Sequence, residues 1–505
     1  MKWMDRYINS FDKPMFICEY AHAMCNAIGN LKEYRESIEN SSSTIGGAIW
    51  DWVDQAIYDP QEMKQGIYRL HTGYDYPGPH QGNFCSNGIV LPTREESPKL
   101  MEVKAAHQFI KFAYKGTNEK RTEVRIQLKN TYDFISLENF YLRWQLLKDG
   151  YSLPADSLQL GDVQPDDSTL VALPLYGINW AQAEKDGTEV LLNLEVCQKK
   201  ATRWSEAGHS IALQQYELLK RAPLPALKPA RKPKLKVLEA ENRLTVRNEN
   251  IEVVFDKETG RITSLNMDGQ KIIAPGQGFI YDNHRYIEND KFEQVENGLE
   301  ADGTCQVEKD GNSFIVTTTR GGSLCGTHII YKIYPDGTMD VKATFSPQTP
   351  DLRRAGLVCG IDSTLSRVSY YAHGPWENLS DRLDGCPVGR YTTTVDDLLW
   401  PYVKPQSTGS REGLRELTLT DGEGRGIRIE TEGRVSFSAL RYTDEDLMKA
   451  QHTWELKARP YIVLHLDAYL RGTGNGSCGA ATGTIPAYWV PQKEQTYTLR
   501  ISPVR

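Results

Sequence analysis

The stretch Met15-Phe16-Ile17-Cys18-Glu19-Tyr20-Ala21-His22-Ala23-Met24 decides the fold. Pro14 opens it, and four apolar residues follow without polar alternation. Such a run suits a strand covered on both faces, as in parallel sheets. Glu19 then stands at the carboxyl end of that strand. Downstream, Leu31, Tyr34 and Ile38 recur at helical spacing and predict a helix that Asn40-Ser41-Ser42-Ser43 ends. Gly46-Gly47-Ala48-Ile49-Trp50 reads as a second buried strand leading into Asp51-Trp52. Ile67-Tyr68-Arg69-Leu70 reads as a third, leading into His71-Thr72-Gly73-Tyr74-Asp75. Strand, helix, strand and strand is the rhythm of parallel α/β structure. In a closed barrel of that class, chemistry is done by polar residues at the carboxyl ends of strands.

Glu19, Asp51 and Asp75 each occupy such an end, flanked by Tyr20, His22, Trp50, Trp52 and Tyr74. A carboxylate can attack an anomeric carbon or donate a proton, and aromatic rings shape a sugar site, so the set suits glycoside chemistry. The plainer role for each carboxylate is to cap the element that follows it. Three strands do not close a barrel, so further strands are expected upstream.

Composition narrows the alternatives. With 505 residues, and about 150 per domain, the chain suggests roughly three domains. Lys plus Arg is 59 against 66 for Asp plus Glu, a formal charge of −7, whereas a nucleic-acid surface needs a dense basic patch. Hydrophobic residues at 39% with 25% charged exclude a disordered chain. No apolar run is long enough for a membrane span. Aromatics at 10% suit a sugar-gripping protein, but they equally fill all-β cores. The nine cysteines (18, 25, 85, 197, 305, 325, 359, 386 and 478) form no Cys-x-x-Cys pair and no metal-ligand spacing, so they read as buried thiols. The first residues lack the apolar core of a signal peptide.

Beyond about residue 121 the pattern turns to period-two alternation. Thr122–Lys129, Tyr141–Leu147 and Val190–Cys197 read as strands, with turns at Asn130, Asp149-Gly150 and Lys185-Asp186-Gly187, in a β-sandwich spanning 121–220. Residues 221–236, rich in proline and lysine, read as a semi-rigid linker rather than a nucleic-acid arm. Residues 237–505 are again β-rich, with turns at Asp256–Gly260, Asp268-Gly269, Asp310-Gly311 and Asp336-Gly337, and suit one large sandwich. Near the end, Arg471–Gly479 has a Gly-x-Gly-x-Gly look, but no strand–helix context supports a nucleotide site.

Ile17–Met24, completed by Asn26, resembles the nucleophile signature of glycoside hydrolase family 2, and within it the large multidomain bacterial β-galactosidases. Gly46–Gln55 resembles the next motif of that family and Phe84-Cys85-Ser86-Asn87-Gly88 a third, in the same order. Trp204–His209 resembles a segment of the family's immunoglobulin-like domain, where His209 and Glu206 read as turn chemistry. Ala372–Asn378, Asp381-Arg382 and Tyr402–Gln406 resemble the C-terminal small-chain domain. Glu377, Asp381 and Arg382 read there as an ion-pair network rather than catalytic groups.

The resemblance implies a mainly β fold with an α/β part. Residues 1–120 would be the last strands of a TIM barrel, followed by the immunoglobulin-like sandwich, the linker, and a galactose-mutarotase-like sandwich. It implies hydrolysis of terminal β-D-galactosides with retention, in the cytoplasm or periplasm of a bacterium. Glu19 would be the nucleophile and Tyr20 the residue that tunes it. His22 would contact galactose hydroxyls, and Trp50 would wall the subsite. The Phe84 carbonyl and the Asn87 side chain would be two ligands of a sodium ion that the sugar's 6-hydroxyl contacts. Cys478 would stand where some members carry an aglycone-stacking tryptophan, which opens the site to galactosides other than lactose.

The resemblance covers only the C-terminal half of that architecture. The family's acid/base, in an Asn-Glu pair upstream of the nucleophile, has no counterpart before Glu19, and the magnesium ligands also fall in the absent part. The expectation is a chain inactive alone, partnered by an N-terminal half or by a second copy. The alternative is a non-catalytic carbohydrate-binding remnant of a truncated gene.

Overall fold

The computed structural model describes residues 12–290, 304–320, 322–478 and 483–505. The chain gathers into two units, one holding residues up to 100 with 225–383 and 391–505, the other holding 101–224 with 384–390. The first residues, read above for a leader, and Gly479 lie outside the described residues.

The first unit begins with an α/β segment: strand β1 (Met15–Tyr20), helix α1 (Leu31–Glu39) and strand β2 (Thr44–Ile49). β1 and β2 run parallel, with Ile17 opposite Gly47 and Tyr20 opposite Ile49. A Cβ on Gly47 would lie 2.8 Å from the Ile17 carbonyl oxygen, so glycine allows the close approach. Asn40 ends α1, its amide bonded to the Glu36 and Ile38 carbonyls.

Two expectations for this segment need correction. Neither β1 nor β2, expected as buried strands, is covered on both faces: Ile17 is buried, but Phe16 on β1 is 57% and Ile45 on β2 68% exposed. Among the described residues the one strand partner of β1 is β2, which leaves an edge and a face bare. Nor is Ile67–Leu70 a third parallel strand. Short β3 (Ile57–Tyr58) pairs antiparallel with short β4 (Leu70–His71), because Gly66 at positive φ and the charge of Arg69 interrupt the apolar run. The parallel path continues instead as an isolated bridge between Val53 and Val90. Asp75 ends in a tight turn whose capping box it closes with Thr72, not at the end of a parallel strand.

The rest of this unit is β-sheet, because apolar and polar residues alternate along its strands. Cys325–Ile333 alternates buried and half-buried positions throughout. Sheets of five, four and nine strands share one apolar core that runs from Leu235 to Ile501. Asp268 and Gly269, both at positive φ, make the tight hairpin turn that their sequence predicts. Residues 221–235 carry no helix or strand.

In the second unit, Glu123–Asn130 lies between Ile110–Thr117 and Ser168–Pro174. A second sheet, built on Phe140–Lys148, Val190–Gln198 and Ser210–Leu219, faces the same core around Leu142, Leu192 and Leu194. Lys185-Asp186-Gly187, expected as a simple turn, is the end of a helix (Trp180–Asp186) that Gly187 terminates in the left-handed region. His209 does serve turn geometry, its amide bonding the Glu206 carbonyl at 3.3 Å. No helix among the described residues is long and apolar enough to cross a membrane.

Candidate active site

Adjacent residues on a strand point to opposite faces, so Glu19 and Tyr20 diverge at the end of β1. The Glu19 side chain is 47% exposed and lies within hydrogen-bond distance of His22, Oε2 to Nε2 at 3.0 Å. The His22 ring stands 6.2 Å from that of Trp50 and 6.1 Å from that of Phe84, so aromatic surface borders the carboxylate. Tyr20 is buried edge-on against Tyr34 of α1, and burial pushes its hydroxyl pKa up. Asp51 faces its own turn, accepting from the Val53 amide and the Gln55 side chain.

Backbone bonds tie the three motifs together. The Ala23 amide donates to the Trp50 carbonyl, Trp50 to Tyr20, Cys25 to Ser86, and Asp51 to Asn87. Asn87 Nδ2 donates to the Phe84 carbonyl, while Asn87 Oδ1 is buried without a partner. One turn thus holds two oxygens of the type a hard monovalent cation takes, one of them unpaired, and these residues fit such an ion.

The loop after Glu19 is strained and firmly held. Ala21, Cys25 and Asn30 all sit at positive φ, a conformation that persists only where surrounding contacts impose it. Those contacts come largely from the sandwich. Asn26 Nδ2 donates to the Ser407 carbonyl at 2.5 Å, and Asn26 Oδ1 accepts from Arg382 and from the Tyr402 hydroxyl, each at 3.2 Å. Lys99 Nζ, fully buried, donates to the Ala23 and Cys25 carbonyls at 2.8 and 3.1 Å. The Gly29 amide bonds the Gly474 carbonyl, and the Asn30 amide that of Asp381.

Glu377 and Arg382 form the expected buried pair at 2.7 Å. Glu377 also accepts from Tyr402, Thr408 and the Gly409 amide. Asp381 departs from the ion-pair expectation. Its carboxylate accepts the amides of Thr473 and Gly474 at 3.2 and 2.7 Å, and so fixes the start of the Arg471–Cys478 loop. That loop brings Cys478 near enough for the Glu19 charge to act on its thiol. Burial first, then that charge, push the thiol pKa up to about 11.

The structure therefore brings Glu19, His22, Trp50, Phe84, Asn87 and Cys478 to one region and turns Tyr20 into the packing behind it. Sequence reasoning missed the dock for Asn26. The available signal was that the small-chain motifs are rich in polar residues, Arg382, Tyr402, Lys404 and Gln406, all of which are buried. It also missed a cluster in which Asp282, Asp444 and Asp467 surround Arg354.

Comparison with known proteins gives the family. Residues 247–501 match the model of the β-galactosidase small chain, half of the chain, while 126–219 match β-galactosidase domain 4 and 1–112 the TIM barrel domain of glycosyl hydrolases family 2. The chain belongs to the β-galactosidases of glycoside hydrolase family 2. It is 29% identical over 510 residues to a β-galactosidase of Priestia megaterium, covering 97% of this chain and 48% of that one. It is 28% identical over 534 residues to a β-galactosidase of Vibrio vulnificus, covering 99% and 50%. The chain spans about half the length of the curated relatives it matches. A galactose 1-epimerase structure from Lactobacillus acidophilus aligns over 55% of this chain and 99% of its own, with a TM-score of 0.35 and 10% identity.

Proposed function

We propose that this chain supplies the nucleophile side of a retaining β-galactosidase site. Glu19 attacks the anomeric carbon of a terminal β-D-galactoside, and the leaving oxygen departs with a proton from an acid/base carried by the remainder of the complete enzyme. Water then releases galactose from the glycosyl-enzyme. The observation that carries this is the accessible Glu19 carboxylate at the end of a parallel strand, 3.0 Å from His22 and bordered by Trp50 and Phe84.

His22 and Trp50 hold the sugar, and Tyr20 steadies the carboxylate through the strand end that it anchors. The Phe84 carbonyl and the Asn87 side chain would hold sodium, which would supply a positive charge for a sugar hydroxyl. Cys478 takes the place of an aglycone platform, so the second sugar is not fixed as glucose. In domain terms, residues 1–120 are the closing part of the barrel, 121–220 the immunoglobulin-like sandwich, and 237–505 the small-chain sandwich. The exposed Phe16 and Ile45 mark where the other barrel strands dock, because parallel strands are normally covered on both faces.

Complementation tests the proposal. Mixed with the N-terminal half of a relative such as the Priestia enzyme, the chain restores hydrolysis of an aryl β-galactoside, and Glu19→Gln does not. A mixture that associates yet stays inactive would overturn it, as would near-normal hydrolysis by Glu19→Gln.

A further inference from the structure

A second cluster gathers side chains that the glycoside chemistry proposed above does not use. His71 at the end of β4, Asp75 in the following turn, and His452 beyond the helix Asp444–Lys449 present ligand-type atoms that all lie within 4.8 Å of one another. His452 Nε2 is 2.8 Å from Asp75 Oδ1, and His71 Nδ1 is 3.6 Å from Asp75 Oδ2.

The far nitrogen of each ring is also engaged. His71 Nε2 is 2.9 Å from Glu62 Oε2, and His452 Nδ1 is 2.6 Å from Glu455 Oε1. Glu455 is itself fixed by the Gln451 amide, and the Trp454 ring stacks on His452 at 4.1 Å.

An imidazole held from behind by a carboxylate is the arrangement that fixes tautomer and ring direction in metal ligands. Here two such dyads converge on one shared carboxylate. If the cluster were only an ion-pair patch, one carboxylate per imidazole would suffice. Instead, three carboxylates surround the two rings, with Arg69 3.7 Å from Glu62.

The donor set also selects the ion. Two imidazole nitrogens and one carboxylate suit zinc and its transition-metal neighbours, whereas calcium and magnesium take six or more oxygens. A tetrahedral zinc with bonds of about 2.0–2.1 Å holds its ligand atoms roughly 3.3 Å apart, within the span seen here. All three side chains keep some exposure, which leaves an entry path.

We propose that His71, Asp75 and His452 bind one divalent transition-metal ion of the zinc type, with Glu62 and Glu455 orienting the two imidazoles. The ion braces the segment after β4 against the loop that follows Asp444–Lys449.

The test uses the full chain, stripped with a chelator and titrated with zinc by calorimetry and with cobalt by visible absorption. One ion is expected per chain, with tetrahedral cobalt bands and no thiolate charge-transfer band, which separates this site from the nine cysteines. His71→Ala, Asp75→Asn and His452→Ala should each weaken binding by roughly 100-fold or more, and Glu455→Gln by about 10- to 100-fold. His452→Gln, which preserves size and polarity, covers the case in which the alanine variant misfolds. Glu19→Gln and Asn87→Ala should bind zinc like the parent, so failure here is distinct from failure of the galactosidase proposal. Three outcomes would overturn the site: no uptake at micromolar zinc, uptake unchanged in the three ligand variants, or a cobalt spectrum dominated by thiolate.

Discussion

Replacing Glu377 by leucine should unfasten the loop that carries the nucleophile. Glu377 is buried and paired with buried Arg382 at 2.7 Å, and it accepts from the Tyr402 hydroxyl at 2.8 Å and the Gly409 amide at 2.7 Å as well as from Thr408. Removing one partner of a buried pair costs about 3–5 kcal/mol, because the other charge stays buried. Each further orphaned donor adds about 1–3 kcal/mol. Arg382 and Tyr402 still share Asn26 Oδ1 as acceptor, which limits the loss to the Thr408 and Gly409 donors plus the missing countercharge. The expected total is at least about 5 kcal/mol. Urea denaturation followed by tryptophan fluorescence reads it, since Trp376 and Trp400 stand 5.9 Å apart beside this cluster. Glu377→Leu with Arg382→Met should recover part of the loss, as neither charge is then stranded. Limited proteolysis between Ala21 and Asn30 should rise in Glu377→Leu. A loss below about 1 kcal/mol, or a loss no larger than that of exposed Glu423→Leu, would refute the idea that this pair holds the loop.

Burial pushes the Asp54 pKa up to about 6, against the opposing pull of Lys99 and the Gly88 amide. The native chain therefore holds this proton more tightly than the unfolded chain does. Stability falls as pH rises from about 4 to about 6 and the loss is complete above that window, amounting to about 3 kcal/mol relative to Asp54→Asn. Parallel urea titrations of the two proteins at pH 4 and pH 8 check it, and a pH-independent difference would refute it. Cys478 should alkylate more slowly at pH 8 than exposed Cys18, and Glu19→Gln should speed it by removing the nearby charge. Peptide mapping by mass spectrometry reads both rates. Gly29→Ala would place its Cβ 1.9 Å from Asp381 Oδ2 and should cost about 1–3 kcal/mol in thermal or chemical unfolding. Wild-type stability in that variant would show that the contact yields freely.

The parts of the fold legible in sequence were those set by local chemistry. The alternation in Tyr141–Leu147 and the Asp268-Gly269 turn need only neighbours a few residues away, and both formed as read. Ile67–Leu70 misled because so short a run, broken by Arg69, does not say which strand it pairs with; its partner β3 is too short to give any periodic signal. The apolar run of β1 correctly announced a strand, but coverage of its faces depends on strands that these residues do not supply. The local motifs placed Glu19, His22 and Trp50 together, since they flank consecutive parallel strands. What stayed hidden was long-range. Nothing near Asn26 announces Arg382 or Tyr402, and nothing near His71 announces His452, because folding alone brings such distant residues together. Asp381 shows the same limit: its charge suggested an ion pair, but its neighbours turned out to be backbone amides.

The most direct test of the central claim is covalent trapping at Glu19. The chain, assembled with a complementing N-terminal half, is treated with a 2-deoxy-2-fluoro-β-galactoside bearing a dinitrophenyl leaving group, which departs without help from an acid. Intact mass followed by peptide mapping should find one fluorosugar per chain, attached to Glu19 and absent from Glu19→Gln. A bare Glu19 in an assembly that hydrolyses galactosides, or a sugar attached to another carboxylate, would contradict the account.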